Sequence, residues 1–543
     1  MKTLKQIIFL LIVLVQAQTM RGQTSEYNIV PKPLQAQLSD GQFTFNASTR
    51  LLLEKGVKPE AADAFSLLAG HLKTAAGIDL KTTQSKTSNA IICRLNKQLP
   101  SSESYRLQIE KNRIIVEANA PAGFFYASQT LRQLLPAAIE SVTLQNDIQW
   151  TVPCGWIEDT PCYRYRGMHL DVCRHFSTKE EVMRYIDQLA FLKINTFHWH
   201  LTDDQGWRIE IKQYPRLTEV GGFRNRTVIG HYRDNPRQWN DTRTGGFYTQ
   251  EDIREVVAYA QKRFINIVPE IELPGHAVAA LAAYPEYSCS GGPFEVEGSW
   301  GVFNDVFCTR DETFDFLEGI LTEVAGLFPY QYIHIGGDEC PKVRWSRCHA
   351  CQERIKADGL KDEHELQSYF VNRIGRFMET KGKKIIGWDE ILEGGGLMSD
   401  AVVMSWRGTK GGIDAARQGH DVIMTPSNYL YLDFYQSKEP GEPIAIGGFT
   451  SVQTVYEYNP TPEELTPEEA KHIWGVQANV WTEYMPNPKH REYMIFPRIA
   501  ALAEIAWLPR EKKNYDDFKH RLSSLFQHYD VEDINYSKAI YKQ

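Results

Sequence analysis

Residues 332–339 read Tyr-Ile-His-Ile-Gly-Gly-Asp-Glu. The run begins with four β-favouring residues, continues through two glycines and ends on two adjacent carboxylates. This pattern is typical of a buried strand whose carboxyl end leads into a polar loop. Barrel enzymes place their catalytic groups at the C-terminal ends of their strands, so a repeat of this pattern along the chain predicts a barrel.

Seven other short apolar runs lie after Pro161, and helix-like segments separate most of them. The chain thus alternates between strand and helix eight times, which predicts the α/β class and a (β/α)8 TIM barrel. An open doubly wound sheet is the alternative, but no Gly-x-Gly-x-x-Gly turn opens a first helix. The barrel is expected over residues 159–543, with a C-terminal helix. The seven runs are Gly167–Asp171, Thr196–Leu201, Ile265–Pro269, Lys384–Ile386, Ala401–Ser405, Val422–Met424 and Trp474–Gln477.

Residues 23–158 have a different character and predict a small α/β domain that precedes the barrel. Alternating apolar and polar residues at 105–109 and 113–117 indicate strands, and the stretches 61–75 and 122–135 indicate helices. No catalytic constellation stands out in this part of the chain. Its expected role is to pack beside the catalytic domain.

The N-terminus has the features of a secretory signal peptide. Lys2 and Lys5 precede an apolar run at residues 7–15, and a small-residue cleavage site follows at residues 15–17. The apolar run is too short to cross a bilayer, and no later stretch of the sequence is long and apolar enough to do so. Residues 1–22 are therefore interpreted as a signal peptide, which predicts export to the periplasm or the extracellular space.

The composition limits the kinds of molecule that the protein is expected to bind. The formal net charge is −8 and there is no basic run, which argues against nucleic acid as a partner, because phosphates need a positive surface. Aromatic residues make up 12% of the chain, with 12 Trp and 26 Tyr. This richness fits large cores, and it equally fits sugar binding, since pyranose rings stack on indole.

Nine cysteines are present, an odd number in a chain predicted to be exported. Cys289 and Cys308 bracket a Gly-rich loop and could pair across it. Cys348-x-x-Cys351 follows Cys340 closely and suggests metal, but a zinc site usually needs a second ligand pair at similar spacing, and none is evident. Structural disulfides or free buried thiols are expected instead, with the connectivity left open.

The acidic pair Asp338-Glu339 suits glycosidic cleavage, which needs a proton for the leaving oxygen and negative charge beneath an oxocarbenium-like centre. Repulsion between the neighbours should raise one pKa and favour a protonated acid near neutral pH. His198, His200 and His334 lie on different strands without the spacing His-Glu-x-x-His, so we interpret them as packing or hydrogen-bonding residues and predict no metal site.

Five motifs resemble the β-N-acetylhexosaminidases of glycoside hydrolase family 20. The resemblance covers the whole barrel, in order and at compatible spacing, and the N-terminal α/β domain fits that family's usual companion domain. The motifs are His198-Trp-His-Leu-Thr-Asp-Asp-Gln-Gly-Trp-Arg208, Pro274-Gly-His276, His334-Ile-Gly-Gly-Asp-Glu339, Gly387-Trp-Asp-Glu390 and Trp481-Thr-Glu483.

The resemblance implies retaining, substrate-assisted catalysis, in which the 2-acetamido oxygen of the substrate attacks the anomeric carbon and an oxazolinium ion forms. Matched by motif, Glu339 is the general acid and later the base for water. Asp338 accepts a hydrogen bond from the acetamide N–H and stabilises its developing positive charge. Tyr431 donates to the acetamide oxygen. The enzyme supplies no nucleophile and no cofactor is expected.

The remaining site residues are matched in the same way. Trp388, Trp406 and Trp481 are expected to wall the pocket around the N-acetyl group, and Asp203 and His276 to form a supporting pair near Glu339. The residues expected to hold hydroxyls of the terminal sugar, which would make the enzyme exo-acting, are Arg174, Asp433 and Glu483.

The implied partners are oligosaccharides or glycoconjugates that end in β-linked GlcNAc or GalNAc. Three alternatives remain at this stage. A relative specialised for a disaccharide unit or for sulfated GlcNAc would share the motifs. A non-catalytic, carbohydrate-binding barrel is disfavoured by the intact Asp338-Glu339 pair. A metal-dependent barrel hydrolase acting on amides would lose activity with chelators. The preference between GlcNAc and GalNAc, the natural glycan and the oligomeric state are left open.

Overall fold

The structure is a computed structural model that describes residues 27–85 and 88–542. The predicted signal peptide, residues 1–22, lies outside the described residues. Within those residues, none of the helices combines the length and the apolar character needed to cross a bilayer.

The N-terminal part forms a seven-stranded mixed sheet in the order β1-β7-β5-β6-β4-β2-β3. Side chains of β5 alternate between buried and exposed, as expected for a strand with one face on a core. The helices α1 (Ser66–Ala76) and α2 (Pro121–Leu134) accompany the sheet. Its strands are β1 (Gln35–Thr44), β2 (Arg50–Leu53), β3 (Lys81–Thr83), β4 (Ala90–Leu95), β5 (Tyr105–Glu110), β6 (Arg113–Ala118) and β7 (Thr151–Asp159).

The rest of the chain forms a closed barrel of eight parallel strands, which confirms the predicted fold class. Neighbours in the barrel are neighbours in sequence, and the last strand pairs with the first. Nearly every strand residue is buried, because helices cover the outside and side chains fill the inside. The strands are β8 (Tyr165–Asp171), β9 (Thr196–His200), β10 (Asn266–Leu273), β11 (Tyr332–Gly336), β12 (Lys384–Trp388), β13 (Val402–Ser405), β14 (Val422–Met424) and β15 (Ile473–Ala478).

Helices alternate with these strands. Capping boxes start two of them: Thr178 with Glu181, and Thr249 with Asp252, each satisfying two otherwise unpaired backbone N–H groups. The helices of six or more residues are α3 (Lys179–Phe191), α4 (Gln250–Gln261), α5 (Val278–Ala283), α6 (Asp311–Leu327), α7 (His349–Ala357), α8 (Glu363–Thr380), α9 (Lys410–Arg417), α10 (Val452–Glu457), α11 (Pro488–Ile495), α12 (Arg498–Trp507) and α13 (Tyr515–Val531).

The small domain packs against the barrel near the N-terminal ends of β8 and β9 through buried charges. Lys193 Nζ lies 3.1 Å from Asp159 Oδ2, and the Tyr105 hydroxyl donates to the same oxygen at 2.6 Å. Arg166 donates to both carboxylate oxygens of Glu103, at 2.7 and 3.0 Å. We call this set of five residues the domain interface. Its charges are matched one to one.

Candidate active site

A cavity of about 440 Å³ opens at the C-terminal end of the barrel. This volume is within the range of roughly 300–1,000 Å³ that is usual for ligand pockets. Of the eleven predicted site residues, ten line it and Trp388 does not. The ten are Arg174, Asp203, His276, Asp338, Glu339, Trp406, Tyr431, Asp433, Trp481 and Glu483.

The backbone around the acidic pair takes conformations that few residues adopt. Gly336 has φ +69°, and a Cβ there would lie 1.9 Å from Glu272 Oε2, so only glycine fits. Glu339 has φ +44° and His276 has φ +46°, both in the left-handed region that non-glycine residues rarely occupy. Such strain costs about 1–3 kcal/mol per residue and clusters at functional sites. Here it aims both side chains into the cavity.

Asp338 and Glu339 differ in their environment. Only 12% of the Asp338 side chain is exposed, against 40% for Glu339. Burial, with the charge of Glu339 adding to it, raises the pKa of Asp338 to about 7. Burial also acts on Glu339, but the hydrogen bond and charge of His276 outweigh it and keep the pKa of Glu339 below its usual value. One pKa of the pair is raised, as expected from the sequence, and it belongs to Asp338.

His276 links the acidic pair to a second layer of carboxylates. Its Nε2 lies 3.5 Å from Glu339 Oε2, and its Nδ1 lies 2.9 Å from Asp204 Oδ2 and 3.4 Å from Asp203 Oδ1. The closer partner is thus Asp204, whereas the motif pointed to Asp203. Asp203 Oδ2 lies 2.9 Å from Arg174 Nη2 and is hydrogen-bonded to His200 Nε2 at 2.8 Å. Although burial opposes a charged imidazole, these carboxylates raise the pKa of His276 well above its usual value.

Glu270 organises the layer beneath the cavity. Its carboxylate lies 2.5 Å from His200 Nδ1, 3.1 Å from His198 Nε2 and 2.8 Å from His334 Nδ1. Trp388, which is 1% exposed, donates its indole N–H to Glu270 Oε1 at 2.8 Å. The histidines are therefore hydrogen-bonding residues of the barrel interior. Trp388 belongs to this layer rather than to the cavity wall that we expected for it, because its hydrogen bond turns the ring inward.

Three aromatic side chains form the wall of the cavity. The rings of Tyr431 and Trp406 are stacked at 17° with centroids 6.2 Å apart, and the ring of Trp481 lies 6.3 Å from Tyr431. The indole N–H of Trp406 donates to Glu390 Oε2 at 2.9 Å, which fixes its orientation. The Trp388 ring supports Trp481 from below at 6.0 Å.

Three charged residues that line the cavity are incompletely paired. Arg174 Nη1 lies 3.7 Å from Glu483 Oε1. Asp433 Oδ1 and Glu483 Oε2 are buried and have no hydrogen-bond partner. Burial raises the pKa of both carboxyls. Buried polar atoms in native proteins are almost always satisfied, so these acceptors indicate a ligand that brings O–H or N–H donors.

Two carboxylates in or beside the cavity received no role from the sequence. Asp204 holds His276, as described above. Glu272 lines the cavity, and neither of its carboxyl oxygens has a partner, so burial and the neighbouring charge of Asp338 raise its pKa well above the usual value. The signal for Glu272 was its place at the end of the third barrel strand. That position alone did not separate it from a helix cap.

The closed barrel, the strained carboxylate pair and the aromatic wall define a class: a (β/α)8-barrel glycosidase. The sequence matches the family model described as glycosyl hydrolase family 20, catalytic domain, over residues 163–510, and the model of domain 2 of that family over residues 26–160. The chain belongs to glycosyl hydrolase family 20.

Bacterial relatives agree with this assignment. A β-hexosaminidase of Porphyromonas gingivalis is 46% identical over 517 residues, which cover 94% of this chain and 64% of that protein. The chain therefore spans slightly less than two thirds of the length of that relative. A β-hexosaminidase of Vibrio furnissii is 37% identical, over 88% of this chain and 76% of its own length.

Solved structures give the same result. The exo β-N-acetylglucosaminidase of Vibrio harveyi, solved with N-acetylglucosamine, superimposes with a TM-score of 0.83 at 35% identity, covering 95% of this chain and 80% of that chain. The β-N-acetylhexosaminidase of Streptomyces coelicolor has a TM-score of 0.81 at 32% identity, with coverage of 94% and 97%.

Proposed function

We propose that the protein is an exo-acting β-N-acetylhexosaminidase that retains configuration and uses the acetamide of its substrate as the nucleophile. One observation carries this proposal. Asp338 places a buried carboxylate oxygen, Oδ1, without any partner in an aromatic-walled cavity and directly beside the candidate acid Glu339. An acetamide N–H is the donor that such an acceptor needs.

The proton distribution of the pair follows from its surroundings. Without substrate, the first proton of the pair resides on Asp338, because Asp338 has the higher pKa. A bound acetamide N–H favours the ionised form of Asp338, since hydrogen bonds to a charged acceptor lower its pKa. A leaving group that covers the exposed side of Glu339 removes water and raises the pKa of Glu339. Substrate binding thus moves the proton to the residue that must donate it.

The aromatic wall sets the position of the acetamide. Trp406 and Trp481 offer apolar faces to its methyl group, and Tyr431 offers a hydroxyl to its oxygen. The carbonyl oxygen would be held beneath the anomeric carbon, where it forms the new C–O bond as the glycosidic bond breaks. Glu339 gives its proton to the leaving oxygen and then takes one from the water that opens the oxazolinium ion. Asp338 balances the positive charge throughout.

Exo action is proposed from the same three charged residues of the cavity. Arg174 donates to hydroxyl oxygens, and the unpartnered oxygens of Asp433 and Glu483 accept from hydroxyl hydrogens. A sugar extended at O4 would meet these buried groups instead of solvent. Incubation with chitotetraose should therefore release monosaccharide from the non-reducing end, and early internal products would contradict an enclosed site.

The decisive test varies the nucleophile without touching the protein. Replacing the N-acetyl group with mono-, di- and trifluoroacetyl withdraws electron density from the carbonyl oxygen, so kcat should fall steeply along the series. Aryl glucosides of the same leaving groups, which lack the amide, serve as the control. Flat rates, or a covalent sugar adduct on any Asp or Glu by mass spectrometry, would contradict substrate assistance while leaving the fold intact.

The sugar preference needs a separate measurement. A panel of aryl β-GlcNAc, β-GalNAc, lacto-N-biosyl and 6-sulfo-GlcNAc glycosides compares the proposed substrates with those of specialised relatives. We expect the unmodified monosaccharides to give the highest kcat/KM. Arg233, a cation that lines the cavity, makes the sulfated substrate an informative member of the panel. A clear preference for the disaccharide or sulfated unit would replace the proposed substrate class.

Export by a signal peptide is also proposed, on the sequence alone. Lys2, Lys5 and the apolar run at residues 7–15 support it. N-terminal sequencing of the mature chain should begin near residue 18–23, and an intact Met1 in the cell-free fraction would contradict the proposal.

A further inference from the structure

Four cysteine thiols from two separate loops meet at one point beside the barrel. Cys289 and Cys308 belong to the segment between α5 and α6, whereas Cys348 and Cys351 lie at the start of α7. The Sγ atoms are 3.7 Å apart in the pairs Cys289–Cys351, Cys308–Cys348 and Cys308–Cys351. All four lie within 4.8 Å of one another.

We propose that these four cysteines bind one structural zinc ion. Zn–S bonds of about 2.3 Å in a tetrahedron place the sulfur atoms roughly 3.8 Å apart, which agrees with the observed spacing. An iron–sulfur cluster would hold its cysteines farther apart, because the ligands bind different iron atoms. The geometry therefore points to a single tetrahedral ion with a complete set of protein ligands, as structural zinc sites have.

The arrangement of the thiols favours a shared centre over separate disulfides. Cys308 has two thiol neighbours at the same distance, Cys348 and Cys351, and Cys351 likewise has two, Cys289 and Cys308. Pairing any two sulfurs would draw them away from the others. Cys308 and Cys351 are fully buried and Cys348 nearly so, which shields such a site from exchange with solvent.

The charge of the proposed site has nearby compensation. Binding Zn²⁺ to four thiols forms four Zn–S bonds and releases the thiol protons to solvent, which leaves a net charge of −2. The positive charge of Arg310 interacts with Cys308, and that of Arg344 interacts with Cys289. Arg310 is held in place by donating to the carbonyl oxygen of Ser288 at 3.0 Å.

Both loops that meet at the thiols also lead to the active site. The backbone N–H of Phe307 donates to the Pro274 carbonyl at 3.0 Å, two residues before His276. Trp345 lies in the segment that follows Glu339, and its indole N–H donates to the Phe307 carbonyl at 2.9 Å. An ion at the four cysteines would thus clamp together the loops that position the acid and its histidine.

The test measures metal in the full-length chain, purified from the expressing cell without chelator or reductant. Inductively coupled plasma mass spectrometry should find one zinc per chain. Replacing zinc with cobalt(II) should give the d–d and thiolate charge-transfer bands of a tetrahedral thiolate site. Cys289→Ser should lose the metal, lower Tm and decrease kcat through misplaced loops.

Two variants separate a metal site from other roles of these residues. Cys289→His should keep zinc, because Cys3His sites bind it, whereas histidine cannot form a disulfide. Cys162→Ser, at an exposed cysteine outside the cluster, should keep both the metal content and Tm of the parent.

Either of two results would overturn the proposal. Peptide mapping without reduction would reveal disulfides among the four residues. Alternatively, the chain without metal would have four alkylatable thiols and an unchanged Tm. That result would show that the thiols are only packed together. Neither result would affect the proposed glycosidase function, which is measured separately with the fluoroacetyl substrates.

Discussion

The two ends of the barrel treat buried charge in opposite ways. At the domain interface Lys193 meets Asp159 at 3.1 Å, and Arg166 meets Glu103 through two hydrogen bonds. At the cavity, the buried oxygen Asp338 Oδ1 has no partner, as is also true of both oxygens of Glu272. The burial of these residues is similar, so depth alone does not distinguish the two ends.

At the domain interface the buried charges are paired and stabilise the fold. At the cavity, buried carboxylates are left unpaired and are available to a ligand. Although burial opposes ionisation, the guanidinium of Arg166 keeps the pKa of Glu103 below its usual value. At the cavity, burial raises the pKa of Asp338 to about 7, because the charge of His276, 3.7 Å away, offsets only part of the effect of burial. Unmatched carboxylates near neutrality are what proton transfer and ligand binding require.

The largest effect is expected for Glu339→Gln at the cavity. This change removes the proton donor, and kcat/KM for alkyl glycosides should fall by roughly 10²–10⁴-fold. Nitrophenyl glycosides need less protonation, so the first step should suffer less with them. An unchanged Tm would show that the loss is chemical. Equal losses with both leaving groups in the first step would mean that Glu339 is not the acid.

At the other end of the barrel, Lys193→Met should destabilise the protein without changing the chemistry. Removing one partner of a buried ion pair leaves Asp159 uncompensated and typically costs about 3–5 kcal/mol. Tm should fall while kcat and KM of the folded enzyme stay at parent values. The double variant Lys193→Met/Asp159→Asn should recover part of the stability. A specific loss of kcat in Lys193→Met would remove the contrast between the two ends.

The third prediction concerns the pH dependence of kcat/KM. The active form of the acidic pair carries one proton. This form is no longer populated once Asp338 and Glu339 are both ionised. The higher pKa, about 7, belongs to Asp338 in the free enzyme. The parent enzyme should therefore lose kcat/KM as pH rises above about 7, and again at acidic pH once both groups are protonated.

Asp338→Asn checks this assignment. It should lower kcat by roughly 10²–10³-fold, the usual cost of removing one group that stabilises transition-state charge. It should also move the upper limb of the profile to lower pH, because Glu339 then titrates without a neighbouring carboxyl. An upper limb that stays at about 7 in the variant would assign it to another residue.

The smallest effect is expected for Glu272→Gln. Burial and the neighbouring charge of Asp338 raise the pKa of Glu272 and so favour its neutral form. A neutral amide should therefore replace it with less than a tenfold loss of kcat/KM, about 1.4 kcal/mol. Glu270→Gln, two residues earlier on the same strand, is the matched control. It removes an ionised carboxylate that holds His200, His198 and His334, and it should lose more activity. Equal losses would show that Glu272 acts as an anion.

All eight barrel strands were predictable, because each depends on a local run of apolar residues followed by polar ones. Features that depend on three-dimensional packing were not. Whether His276 pairs with Asp203 or with Asp204 is decided by the loop geometry around a residue with φ +46°. The inward position of Trp388 depends on a hydrogen bond to Glu270 from a different strand.

The cysteines show the same limit. Cys348 and Cys351 have metal-ligand spacing, but their companions, Cys308 and Cys289, lie 40 and 59 residues before Cys348. Spacing rules detect ligands that share a short loop, and here two loops supply the four thiols. Only the folded chain brings them within 4.8 Å of one another.

The contrast in exposure between two residues of the cavity bears on how the proposed enzyme binds a long polymer. The Glu339 side chain is 40% exposed, whereas Asp433, which lines the same cavity, is buried. On the proposed exo action, such a site holds one terminal unit and leaves the remainder of the chain in water. Each cleavage would then end in complete dissociation. Degradation would be distributive: time courses on chitin oligomers should show every intermediate length in turn, and activity should scale with the number of chain ends rather than with polymer mass.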